Sequence, residues 1–139
     1  MTAAGAAVLA VVAFSGCGGG GGSGPPKNLS LQGIKIPTSR LTQQVTSLCA
    51  VARQAHTDPA GANGAFYGAG PHDTLHLLAA ILAGGHHTQS QALLDTMMTF
   101  ENDLAARPPP SATGPDADAL VASANVGLQS LKVPPQRCG

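Results

Sequence analysis

The chain has 139 residues, seven Lys and Arg against seven Asp and Glu, 3% aromatic residues, 18 Gly, 11 Pro and no Trp. Zero formal charge leaves no basic stripe to displace counterions from a phosphate backbone, which argues against nucleic acid as a partner. One Tyr and three Phe are too few for a base- or sugar-stacking surface, and the length holds one small domain rather than a large catalytic fold.

Residues 1–26 contain no Lys, Arg, Asp or Glu. Within them Ala3 to Phe14 is an apolar run of signal-peptide length, too short to cross a bilayer as a permanent helix. It closes as Phe14-Ser15-Gly16-Cys17, which resembles the lipobox of bacterial lipoproteins: an apolar residue, two small residues, then the Cys that becomes the mature N-terminus. Phe14 stands where that family usually has Leu, and no basic residue precedes the run. The resemblance implies that residues 1–16 are a signal peptide, that Cys17 carries a lipid, and that the mature chain is anchored to the extracytoplasmic face of the cell membrane. The competing reading is an unmodified Cys17 thiol inside a Gly tract.

Gly18 to Pro26 reads GGGGGSGPP, a composition with no side chains to bury, as a tether requires. Lys27 to Pro37 alternates weakly, but a lone short strand has nothing to pair with, so residues 17–38 are expected to be a linker without regular structure. Of the three Cys, Cys17 is assigned to the lipid and leaves Cys49 and Cys138, an even pair that export would oxidise. Such a bridge closes a loop of roughly 90 residues, for which the chain-entropy model gives about 4 kcal/mol. A thiol metal or redox site fits poorly, because the two Cys do not form a Cys-x-x-Cys pair.

From Ser39 the apolar spacing is helical, and residues 39–139 are expected to form one domain. Leu41, Val45, Leu48, Ala52 and Ala55 place one stripe on a helix from about Ser39 to Thr57, ending at Asp58-Pro59. Ala62 to Gly70, with Phe66 and Tyr67, reads as either a short helix or a packed loop. A second clear helix starts at Pro71, where the missing N–H costs nothing, and stops at Gly84-Gly85. Its Leu75, Leu78, Ala79 and Leu82 cluster on one face, Ile81 and Leu77 extend the arc, and only His72, Asp73, His76 and Ala80 fill the remaining sector. Thr88-x-x-Gln91 has the form of a capping box and opens a helix to about Arg107, with Leu93, Met97, Phe100 and Leu104 as its stripe. A last helix begins near Pro115 and presents Leu120, Val121, Ala124, Leu128 and Leu131. The expected architecture is all-α, an up-down bundle of three to four helices stapled by one disulfide.

Five His in one small domain form the chemical constellation. His72 and His76, at i and i+4, can join one transition metal (copper, iron or zinc) or a haem, with another His or a carboxylate completing the site. The opposing reading makes them the hydrated edge of a buried helix. Met97 and Met98 offer soft sulfur for Cu(I), but their place beside the Leu93 and Phe100 stripe makes them packing residues. His86 and His87 follow Gly84-Gly85 and are expected at the surface. The i, i+2 acid pairs Glu101/Asp103 and Asp116/Asp118 diverge on a helix and are expected to be solvated or first-turn charges, Asp116 and Asp118 in the first turn of the last helix. The stretch Phe66-Tyr67 through His72, Leu75-His76 and Leu78-Ala79 resembles a local pattern of small secreted helical proteins from bacteria with GC-rich genomes, which implies no activity.

There is no Gly-x-Ser-x-Gly elbow, His-Glu-x-x-His motif, phosphate loop or free Cys nucleophile, so no catalytic residues are assigned. The expectation is a non-catalytic binding or accessory lipoprotein of the cell envelope, with an envelope protein as partner; the alternative is a metal- or haem-binding lipoprotein using His72 and His76.

Overall fold

The computed structural model describes residues 24–68 and 70–139; Cys17, the signal-peptide expectation and most of the Gly tract lie outside the described residues. The first regular structure corrects the expectation of an irregular linker. Strands β1 (Asn28–Leu31) and β2 (Ile34–Pro37) pair antiparallel, with Leu29 opposite Ile36 and Leu31 opposite Ile34. The short strand finds its partner by folding back on itself, through a two-residue turn in which Gln32 (φ 50°) and Gly33 (φ 83°) both have positive φ. Positive φ at both central residues matches the right-handed twist of the flanking strands. The face carrying Leu29, Leu31 and Ile36 packs on the helices, with Ile36 buried and Ile34 projecting at the exposed tip. Thr38 closes the hairpin's base: its N–H donates to Lys27 O at 3.0 Å and its hydroxyl to Pro26 O at 2.6 Å.

Helix α1 (Thr38–Thr57) buries Leu41, Val45, Leu48, Ala52 and Ala55, the whole expected stripe, together with Cys49 and Val51. The open choice between helix and packed loop resolves as helix α2 (Pro59–Gly68), which raises the helix count among the described residues to five. Asp58 serves both helix ends. Its N–H donates to Gln54 O at 2.7 Å, closing α1, while its carboxylate accepts from Gly61 N at 2.9 Å and its carbonyl from Ala62 N at 3.0 Å, opening α2. With Pro59 supplying no N–H to satisfy, the chain changes direction without a loop.

Helix α3 (Pro71–Ala83) starts behind Gly70, whose φ of 92° suits only glycine, and buries Leu75, Leu78, Ala79, Ile81 and Leu82. Helix α4 (His87–Ala105) buries Leu93, Met97, Phe100 and Leu104 as expected, but Met98 is 56% exposed, so only Met97 is a packing residue. The Thr88–Gln91 capping box does not form. The helix begins two residues earlier, with His86 in the N-cap position and making no side-chain cap. Gln91 bonds forward to Asp95 at 2.7 Å, and the buried Ser90 hydroxyl donates to Ala79 O at 2.9 Å, tying α4 to α3. Helix α5 (Thr113–Ser130) starts two residues before Pro115 and buries Leu120, Val121, Ala124 and Leu128; of the two acids expected in its first turn, only Asp116 is there.

The four longer helices form a ring in which α1 adjoins α3, α3 adjoins α4, α4 adjoins α5 and α5 returns to α1, with α2 lying against α1, α3 and α4. The fold is the expected helical bundle, with the small hairpin added. Beyond α5, Asn125 holds the tail by accepting from Gln136 N (2.7 Å) and donating to Gln136 O (2.9 Å). The tail then reaches α1, where Cys138 and Cys49 form the expected disulfide, their Cα atoms 5.3 Å apart. Among the described residues no helix is long and apolar enough to cross a membrane.

Candidate metal centre

The apolar arc of α3 turns His72 and His76 outward, one above the other, at the edge facing α4. Their rings lie 4.7 Å apart, edge to face at 83°. Helix α4 supplies the third group. Burying Phe100 and Leu104 brings Glu101 against α3, with its Oε1 2.9 Å from His72 Nε2. That approach is not an aligned hydrogen bond, and the buried Oε1 has no hydrogen-bond partner. On the other side of the same ring, His72 Nδ1 is hydrogen-bonded to Asp73 Oδ1 at 3.0 Å.

Two aromatic rings wall the site. Phe66, fully buried, meets the His72 ring edge-on at 5.4 Å and Phe100 at 5.1 Å; Tyr67 stands 4.8 Å from His72. Burial, and then the negative charge of Glu101, push the Tyr67 hydroxyl above its ordinary pKa, so it stays protonated. The His72 and Glu101 side chains are 22% and 28% exposed, whereas His76 lies on the surface.

One donor atom each from His72, His76 and Glu101 falls within 4.8 Å of the others. Two imidazole nitrogens and a carboxylate oxygen match a borderline divalent ion such as Zn(II) or Fe(II) better than Cu(I), which thiolate and thioether sulfur select. Three protein ligands also leave a coordination position open toward solvent.

The remaining His stand apart from this trio. His56 pairs with Asp118 at 2.7 Å, joining α1 to α5; His86 precedes α4, and His87 is exposed on its first turn. Two surface clefts also lie elsewhere: one of about 180 Å³ lined by Asp95, Thr96, Thr99 and Asp116, and one of about 250 Å³ lined by Ser47, Val51, Gln54 and Pro71.

The expectation that the acids are simply solvated needs correction. Neighbours within each i, i+2 pair do diverge, but Glu101 turns to His72, Asp118 to His56, and Asp103 to Asp116. Asp103 Oδ2 is out of water and has no donor; burial, and then the Asp116 carboxyl beside it, raise the Asp103 pKa. One sequence signal pointed to Glu101: it lies four residues after Met97 and three before Leu104, on the flank of the buried stripe rather than opposite it.

No protein-family model, curated protein or solved structure matches the chain.

Proposed function

We propose that this protein is a lipid-anchored, extracytoplasmic binding protein whose ligand is a divalent transition metal held by His72, His76 and Glu101. The observation that carries the reading is the convergence of two imidazoles and a carboxylate from two helices, their donor atoms within 4.8 Å of one another. The lipobox-like Phe14-Ser15-Gly16-Cys17 supports the address, and the Cys49–Cys138 bridge supports an oxidising compartment. The role is non-catalytic: the protein captures the ion and passes it to a partner in the envelope.

Elemental analysis of the purified protein tests the ligand. One equivalent of zinc or iron is expected, lost in the His72→Ala/His76→Ala variant while its helical circular dichroism is kept. An ion-free parent protein that also ignores added Zn(II) would refute metal binding. Cys17→Ala is expected to release the protein from the membrane fraction; unchanged fractionation would refute the anchor.

A further inference from the structure

We infer that Asp73 is a positioning residue of this metal site, fixing His72 as an Nε2 ligand so that the ion lies between that nitrogen and Glu101 Oε1. The inference rests on the metal reading above and says which atoms carry it.

A neutral imidazole has one N–H, and a carboxylate only accepts. With His72 Nδ1 3.0 Å from Asp73 Oδ1, the tautomer in which Nδ1 donates to that carboxylate leaves the lone pair on Nε2. Nε2 lies 2.9 Å from Glu101 Oε1 but out of hydrogen-bond alignment with it, and that oxygen is buried and has no hydrogen-bond donor. In that tautomer two acceptors this close repel each other unless a second ring proton or a metal cation joins them. A divalent ion satisfies both, and Asp73 then makes the outer member of a carboxylate–histidine–metal triad, which orients the ring and raises its basicity. Phe66 and Tyr67 against the same ring limit its rotation, so the Asp73 contact selects the tautomer in a ring already held in place.

Asp73 also lies in the first turn of α3, where any negative charge favours the helix dipole. The test separates the two roles. Asp73→Asn and Asp73→Ala both remove the charge, but only Asn keeps an acceptor for Nδ1–H. Zn(II) affinity, measured by competition with a chromophoric chelator, is expected to fall about 10- to 100-fold in Asp73→Ala and clearly less in Asp73→Asn. Long-range ¹H–¹⁵N spectra of the zinc-loaded parent are expected to place the His72 proton on Nδ1 and the metal on Nε2. Asp73→Ala binding within twofold of the parent, equal losses in the two variants, or metal on Nδ1 would overturn the role of Asp73 while leaving the metal site standing. A parent protein with no affinity for Zn(II) would overturn both.

Discussion

Removing the disulfide is the sharpest test of how this small bundle is held together. The bridge spans 89 residues of sequence, and closing a loop of that size in the unfolded chain is worth between about 4 and 5 kcal/mol at 25 °C in the chain-entropy model. A domain of this size has a total stability of about 5–15 kcal/mol, so the loss takes a large share of it. The native contacts that dock the tail do not depend on the bridge: Asn125 holds Gln136 through two hydrogen bonds, and Arg53 donates to Gly139 O at 2.7 Å. Most of the loss therefore arises in the unfolded state. Urea titration of the oxidised parent against Cys49→Ala/Cys138→Ser is expected to lower the midpoint by about 2–4 M, for a slope of about 1.2–2 kcal/mol per molar. The slope should rise in the variant, because its unfolded chain is no longer compacted by the cross-link. Amide exchange at Gln136 should stay protected in the native variant. A stability difference below about 1 kcal/mol would refute the reasoning, as would a native tail that detaches on reduction.

Glu101→Gln, which keeps the shape but halves the oxygen donors, is expected to weaken Zn(II) binding at least about tenfold in isothermal titration while leaving the helical spectrum unchanged; equal affinity would remove Glu101 from the ligand set. Asp103 has a folded-state pKa above its ordinary value, so the native state holds that proton more tightly than the unfolded chain, and the resulting stabilisation is present in acid and lost as pH rises through the folded pKa. Asp103→Asn, a permanent mimic of the protonated acid, should therefore raise the melting temperature at pH 7 and flatten its dependence between about pH 3 and pH 6; a variant less stable than the parent at pH 7 would count against this. Phe66→Ala should cost about 3–5 kcal/mol in thermal or urea unfolding, because the ring is fully buried against Phe100 and His72. A loss under about 1.5 kcal/mol would mean that the α2 ring is not part of the core.

The helices were legible because a stripe such as Leu41-Val45-Leu48-Ala52 depends only on which side of one helix meets the rest. The cysteine pairing was legible for a similar reason: once Cys17 is set aside, two sulfurs remain. The hairpin was hidden because Gln32-Gly33 is a weaker turn signal than Asn-Gly, and the partner strand lay inside the segment already given to the linker. The capping box misled because Thr88-x-x-Gln91 is a local pattern, and the buried bond from Ser90 to Ala79 O is tertiary. The candidate site was half legible. His72 and His76 share a helix face, so spacing alone pairs them, whereas Glu101 and Asp73 acquire their meaning only when α4 docks on α3 and the His72 ring takes one orientation.

The hairpin also changes where the folded unit begins, since Thr38 pins the Pro26 carbonyl at 2.6 Å. If Cys17 carries the lipid, the nine residues Gly18 to Pro26 lie between the acyl chains and that carbonyl. Nine residues can span at most about 30 Å, no more than the thickness of one hydrocarbon core. On the proposed reading, a bundle tied so short would stay at the bilayer surface, and any partner receiving an ion from it would itself have to stand at the membrane.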